Sequence, residues 1–396
     1  MSLTSFDIFL PLPFRILFLV TLATWLWAIN LKICYDHNID TFQVLKLQPS
    51  QPVNASTNFY KKPIKVSSIT ILNYIIYLTF KNLYLSDVGN GITILDCFSY
   101  FNLILIFATL ILPINKSPSN LRLYQTFKRI LFFGKIDINL RNNDILLADT
   151  FTSYSKILVD LHVLNCNFIK NKTLLPNLSK DENTLDRSIG SVYCTDLIIG
   201  CIPSTIRLKQ CLYEYSETKK IQHLLNAIKY STNYLPMFAT IYMRQNNNDG
   251  ILFWYAFSFI NSFYSFVWDV MVDWNFEFFH YVLSADRRQK YLLRSILMYN
   301  VSFYYHVSIM VDFILRFIWV LRMFSNPDSK YLLLRSFDSE GGLFLLEILE
   351  ILRRWIWVFI KIETEYIKMF NGDINKLRDI DEDKGTIEMD SYNKKY

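Results

Sequence analysis

Charge is thin in this chain: Asp, Glu, Lys and Arg make up 19% of 396 residues, against about 25% in ordinary soluble domains. The six cysteines show no CxxC spacing, and Cys34, Cys97, Cys201 and Cys211 sit in or beside apolar stretches, where they read as small apolar residues. Five histidines (His37, His162, His223, His280, His306) lack HExxH or HxxxH spacing, which argues against metal catalysis, and His223 reads as a packing or capping residue near a helix start. No GxSxG, Walker loop or GxGxxG is present, so serine-hydrolase chemistry, ATP-driven pumping and nucleotide chemistry are excluded as leading readings. No cofactor, metal or nucleic-acid partner is expected. No internal repeat is visible, and the N-terminus lacks a signal-peptide pattern, because the first apolar run carries Arg15 near its start and is too long for an h-region.

What fills the chain is apolar sequence: 52% hydrophobic and 16% aromatic residues. It is gathered into runs near 11–33, 66–86, 92–114, 121–136, 143–165, 190–212, 222–243, 251–275, 293–323 and 343–369. A hydrocarbon core of about 30 Å needs about 20 helical residues, so the pattern predicts an all-α polytopic transmembrane bundle of about ten spans. Its organisation reads as a short segment 1–10, a membrane domain 11–370 and a polar, charged tail 371–396 expected to be disordered and cytosolic. The run 121–136 carries Arg122, Lys128 and Arg129 and reads equally as an interfacial amphipathic helix.

With that run spanning, both termini are expected on the cytosolic side, together with the basic cluster Arg287, Arg288, Lys290 and Arg294 and the pair Lys219 and Lys220. Lys46, Lys61, Lys62 and Lys65, in the loop after the first span, then fall on the wrong side. Cys166 and Cys194 flank a polar stretch holding the sequons Asn171-Lys-Thr and Asn177-Leu-Ser, which suggests a luminal loop closed by a disulfide.

The runs also hold charges. An ionisable side chain near mid-bilayer costs at least about 2.5–3.5 kcal/mol, so such residues face a cavity, a partner or a pathway. Asp149 and Asp160, Arg207 and Lys209, Lys229, Asp269 and Asp273, Asp312 and Arg316, and Glu347, Glu350, Arg353 and Arg354 all lie in apolar runs. The four-residue spacings of Asp269 with Asp273 and of Asp312 with Arg316 put each pair on one helical face. One such pair reads as an internal salt bridge fixing register; at least five charged helices read better as a polar interior pathway. Guanidinium forks, lysine and tyrosine suit an oxyanion, with the carboxylates holding the vacant site near neutrality. Phosphate, sulfate and carboxylate remain open on these residues alone.

The segments PLPFRILFLVTLATWLWAIN, LLADTFTSYSKILVDL, HLLNAIKYS, SFVWDVMVDW, VDFILRFIWVL and LRRWIWVFIKIE resemble, in order, the EXS family. This is the membrane domain shared by eukaryotic phosphate exporters and a fungal ER-retention branch. The first span begins near residue 11 with no SPX sensor domain ahead of it, so the resemblance is nearer the ER-retention branch. It implies a Golgi membrane protein that returns luminal inorganic phosphate to the cytosol, supporting glycosylation, glycosyltransferase recycling and retention of ER luminal proteins. It is not an enzyme. Two alternatives stand beside it: a sorting adaptor without transport, and a plasma-membrane phosphate exporter.

The resemblance places the phosphate pathway at Asp149, Thr152, Lys229, Tyr230, Asp269, Arg316, Arg353 and Arg354, with Trp319 as gate. Arg207, Lys220, Asp273, Asp312 and Glu350 are supporting charges. Thr152 stands where exporting relatives have asparagine, and Lys220 where they have arginine; the first keeps a donor and the second keeps charge but loses the fork. The implied partners are inorganic phosphate, the lipid bilayer, Golgi coat-linked sorting proteins and glycosyltransferases, with a second copy of the chain left open.

Overall fold

The computed structural model describes residues 5–45, 59–86, 90–112, 118–131, 140–170, 174, 194–246, 250–277, 293–294, 296–299, 301–324 and 339–393. These fold as helices, with no strand among them. In chain order the helices are α1 (Leu12–Asp36), α2 (Lys61–Ser86), α3 (Asn90–Ile111), α4 (Pro118–Leu131), α5 (Arg141–Thr152), α6 (Ser155–Ile169), α7 (Thr195–Thr218), α8 (Ile221–Ser231), α9 (Tyr234–Gln245), α10 (Ile251–Trp268), α11 (Ser302–Arg316) and α12 (Glu340–Asn393). Three stretches, Leu12–Asp36, Lys61–Phe80 and Ile251–Asp273, are long and apolar enough to cross a bilayer on composition alone.

α1 starts behind Pro11, where a missing N–H costs nothing, and stops before Asn38 in the left-handed region. α2 packs antiparallel to it: Trp25 Nε1 donates to Ser67 Oγ at 2.6 Å, and Tyr77 Oη donates to the carbonyl of Ile8 at 2.7 Å. α12 runs parallel to α1. At one end, end I, Arg15 meets Glu340 at 2.5 Å and Phe6 meets Phe344. Toward the other, end II, Asn30 donates to the carbonyl of Trp355, and Cys34, Ile39 and Val44 share a core with Trp357, Val358 and Ile362. The first described residues and the course of α12 past Ile362 therefore lie at opposite ends of the bundle.

The reason lies in α4. Asn142 at the start of α5 donates to the carbonyl of Val44, which puts that start at end II. Arg129 and Thr126 of α4 bind Asp144 and Asn143 in the same first turn. α3 leaves the α2 connection at end I, so α4 lies at end II and does not traverse. Among the described residues the bundle is traversed by α1, α2, α3, α5 with α6, α7, α8 with α9, α10, α11 and α12, nine where ten spans were expected. The tail also differs, since α12 continues as helix to Asn393.

Cys166 and Cys194 are free thiols, and the expected disulfide is not formed. Helical spacing turns Cys166 Sγ toward His162 on its own helix, 3.6 Å from Nε2, while Cys194 begins α7. The sequons at 171 and 177 lie outside the described residues.

Candidate functional site

Two runs expected as single helices are broken, and both breaks border the same place. α5 gives way to α6 at Ser153–Tyr154, where Tyr154 N–H bonds the Phe151 carbonyl three residues back. Thr150 and Thr152 hydroxyls take the carbonyls of Leu146 and Asp149, competing with helix continuation. α8 gives way to α9 at Thr232–Asn233, because Pro236 has no N–H to donate back to residue 232. α10 ends in a π turn, Asp269–Asp273, and α11 tightens after Arg316 into a 3₁₀ helix, Ile318–Phe324. Irregular backbone at membrane depth is tolerated where it lines a polar interior, and here four irregularities do so together.

Around them stands a buried charge cluster. Asp149 accepts from Arg207 Nε at 2.6 Å, from Arg207 Nη2 at 3.3 Å and from Tyr230 Oη. Asp269, fully buried, binds Arg316, lies 3.4 Å from Lys229 Nζ and 3.7 Å from Arg353 Nη1. Asp312 takes Arg353 Nη1 at 3.0 Å and Arg316 Nε at 3.3 Å. Glu350 holds Arg353 through both oxygens, at 2.6 and 3.0 Å. Asp273 is shared by Lys229 at 3.6 Å and Lys361 at 3.1 Å.

Arg354 is the exception. It is buried and makes no ion pair among the described residues; its Nε donates to Ser153 Oγ at 2.9 Å and its Nη2 to Thr152 Oγ1 at 3.0 Å, with the guanidinium 4.6 Å above the Trp357 ring. Six cations (Arg207, Lys229, Arg316, Arg353, Arg354, Lys361) face six carboxylates (Asp149, Asp269, Asp273, Asp312, Glu350, Glu365), and among the described residues Arg354 is the one of these cations that has no carboxylate in ion-pair contact.

A cavity of about 270 Å³ leads from end II to this cluster. Arg141, Glu214, His223, Glu365 and Lys368 line its outer part, and Asp149, Arg207, Tyr230, Trp268 and Trp357 its depth. His223 meets Glu214 at 3.1 Å, and Arg141 binds the same carboxylate.

Of the expected pathway residues, Asp149, Thr152, Lys229, Tyr230, Asp269, Arg316, Arg353 and Arg354 converge, as do the supporting Arg207, Asp273, Asp312 and Glu350. Lys220 does not: it is exposed before α8. Trp319 stands one step outside, stacked on Tyr255 with Nε1 on Ser262 Oγ at 2.9 Å; Ser262 in turn donates to the Arg316 carbonyl. Sequence reasoning missed Ser153, which joins Arg354 to Glu350, and Lys361. The hydroxyl-rich string TFTSYS inside an apolar run was the available signal for the first.

The model of the EXS family matches residues 10–367. The chain belongs to the EXS family. Protein ERD1 of Kluyveromyces lactis is 33% identical over 395 residues, covering 94% of this chain and 98% of that one. Protein ERD1 homolog 1 of Schizosaccharomyces pombe is 28% identical, covering 93% and 94%. Human solute carrier family 53 member 1 is 32% identical over 251 residues, 60% of this EXS chain and 34% of the human protein. The matched region contains every helix that builds the charge cluster, so the EXS bundle and the candidate site are one unit.

Proposed function

We propose that this EXS protein is a Golgi-membrane phosphate transporter that returns inorganic phosphate from the lumen to the cytosol, and so supports glycosylation, glycosyltransferase recycling and retention of ER luminal proteins. The observation that carries the reading is Arg354: a buried guanidinium that, among the described residues, bonds hydroxyls and pairs with no carboxylate, in a cluster reached by a cavity. A planar fork with unspent donors binds a tetrahedral oxyanion in place of water. The neighbouring Arg353, Arg316 and Lys229, each already shared between carboxylates, can lend donors without leaving a stranded charge. Trp319 is the gate in this reading, closing over Arg316 through the Ser262 link.

The resemblance supports phosphate as the anion and the Golgi as the place. Nine traverses put Lys61, Lys62, Lys65, Arg141, Lys219, Lys220 and Arg294 all at end II, so the positive-inside rule makes end II cytosolic and the N-terminus luminal. The lysines after α1, awkward with ten spans, then conform. Radiolabelled phosphate uptake by the reconstituted protein, with sulfate as competitor, tests the proposal: saturable uptake lost in Arg316→Ala and Arg354→Ala is expected, and unimpaired uptake in both variants rejects it.

A sorting adaptor is the second reading, favoured by the continuation of α12 to Asn393 beyond the bundle. Deletion of 371–396 then abolishes glycosyltransferase retention, whereas a transporter keeps its flux.

A further inference from the structure

The end II cavity stops short of four of the cluster's cations. Arg207 and Lys361 line it, whereas Lys229, Arg316, Arg353 and Arg354 do not. Arg207 is already committed, to Asp149 through two nitrogens and to Gln210 Oε1 at 2.6 Å. In front of two of the hidden cations the cavity presents indole rings. Trp357 lines the cavity and carries the Arg354 guanidinium 4.6 Å from its ring centroid; Trp268 also lines it and carries Lys229 Nζ at 5.6 Å. Each ring therefore meets the cavity and a cluster cation at once, and the cation is held there by the ring's own charge distribution.

The two indoles differ in how they are held. Trp268 is the last residue of α10 and stacks on Tyr264, the ring planes 11° apart. Trp357 is 1% exposed, and its Nε1–H is buried without an acceptor among the described residues. A buried indole N–H ordinarily finds a partner, and leaving one unmade is costly. The unspent donor thus sits on the ring that covers Arg354, itself a cation with no carboxylate in contact. Trp319 occupies the other side: it stacks on Tyr255 in the second turn of α10, the opposite end of that helix from Trp268.

We propose that Trp357 and Trp268 form the end II barrier of the anion path, that Trp357 is the ring that turns, and that its Nε1–H donates to the oxyanion as Arg354 receives it. Trp268, braced by Tyr264, is the fixed side of the barrier, and the cavity beside Trp357 gives that ring room to move. Turning it breaks no ion pair. The closed arrangement leaves the indole N–H without an acceptor; an entering oxyanion supplies one, so the ligand favours the open ring by differential binding. The anion then exchanges water for the indole N–H and the guanidinium fork together. With Trp319 beyond Arg316, the cations lie between two aromatic barriers, the arrangement that alternating exposure of one fixed site requires.

The phosphate in this inference rests on the function proposed above; the place of the barrier rests on the cavity wall and the two ring contacts. Two measurements keep these apart. Ser153 bonds Arg354 and does not line the cavity, so Ser153→Cys reports on the space behind the ring. A membrane-impermeant thiol reagent is applied at end II of sealed vesicles, and the modified peptide is identified by mass spectrometry. Modification should be about tenfold faster or more once Trp357→Ala is added, since reaction no longer waits on opening of the ring. Asn142→Cys, on the cavity wall, should react equally with and without Trp357. Trp357→Leu takes the place of Trp357→Ala if the latter does not fold. An unchanged Ser153→Cys rate overturns the barrier, whether or not the protein carries phosphate. Trp357→Phe keeps a ring and removes the N–H. With phosphate supplied at end II it should raise the half-saturating concentration about tenfold, as for one lost bond to a charged ligand, while Ser153→Cys stays as protected as in the parent. An unaltered half-saturating concentration overturns the donor role.

Discussion

Arg353 and Arg354 are adjacent, both buried, and predicted to fail in opposite ways when truncated. Arg353 holds Glu350 through two bonds and Asp312 through a third. Arg353→Ala therefore leaves buried carboxylates short of a partner, a loss of about 3–5 kcal/mol on the scale of broken buried ion pairs. Arg354 gives up only two hydrogen bonds to neutral hydroxyls, at 2.9 and 3.0 Å, and strands no charge. Those bonds are charge-assisted and worth about 1.5–3 kcal/mol each, but relief from burying a cation without a counter-charge in contact works the other way, so Arg354→Ala should melt within a few degrees of the parent. Transport should respond in the reverse sense. Two charge-assisted bonds from a guanidinium to a bound oxyanion are worth about 1.5–3 kcal/mol each, so their loss lowers phosphate flux by about 100-fold or more. Arg354→Lys keeps the charge without the fork and should lose about tenfold or more. Thermal unfolding of the purified variants and isotope flux in proteoliposomes read the two effects separately. Full flux in a stably folded Arg354→Ala protein would refute the reasoning.

Other outcomes follow from the same geometry. Epitope tags at the N- and C-termini should be protected on opposite sides of sealed Golgi vesicles, and tags on one side would remove the nine-traverse path. Tyr230→Phe deletes one of the three bonds that Asp149 accepts while keeping Arg207 in place, so stability should fall by about 1.5–3 kcal/mol in thermal melts, with Tyr230→Ala worse. Glu363, fully buried, binds Arg294 and accepts from Tyr305 Oη at 2.6 Å and the Met298 N–H at 2.7 Å. Glu363→Gln should cost about 3–5 kcal/mol by leaving Arg294 buried without its counter-charge, and a melting temperature equal to the parent's would contradict that pairing.

Much of the site could be read from spacing. Asp312 and Arg316 do pair across one turn, at 3.3 Å; Asp269 and Asp273 do face one lysine; Glu350 does reach Arg353 three residues on. Spacing could not tell which partner an arginine takes across the bundle, and so it gave Arg354 no special standing, although that residue differs most from its neighbours. The helix breaks were hidden for a related reason. Hydropathy is continuous across Ser153 and Thr232, and only backbone competition from the threonine hydroxyls and the missing N–H of Pro236 interrupts the helix. The topology turned on α4: its Arg129 has a buried partner in Asp144 at end II, a contact between helices that no single-chain pattern announces. Once α4 stays at one end, the parallel course of α1 and α12 follows from the count.

Binding of labelled phosphate to the purified protein and to Arg354→Ala, measured side by side in detergent, is the most direct test of the central claim. The account predicts saturable binding displaced by unlabelled phosphate in the parent protein and its loss in the variant. Equal binding in the two proteins, or none in either, would contradict it.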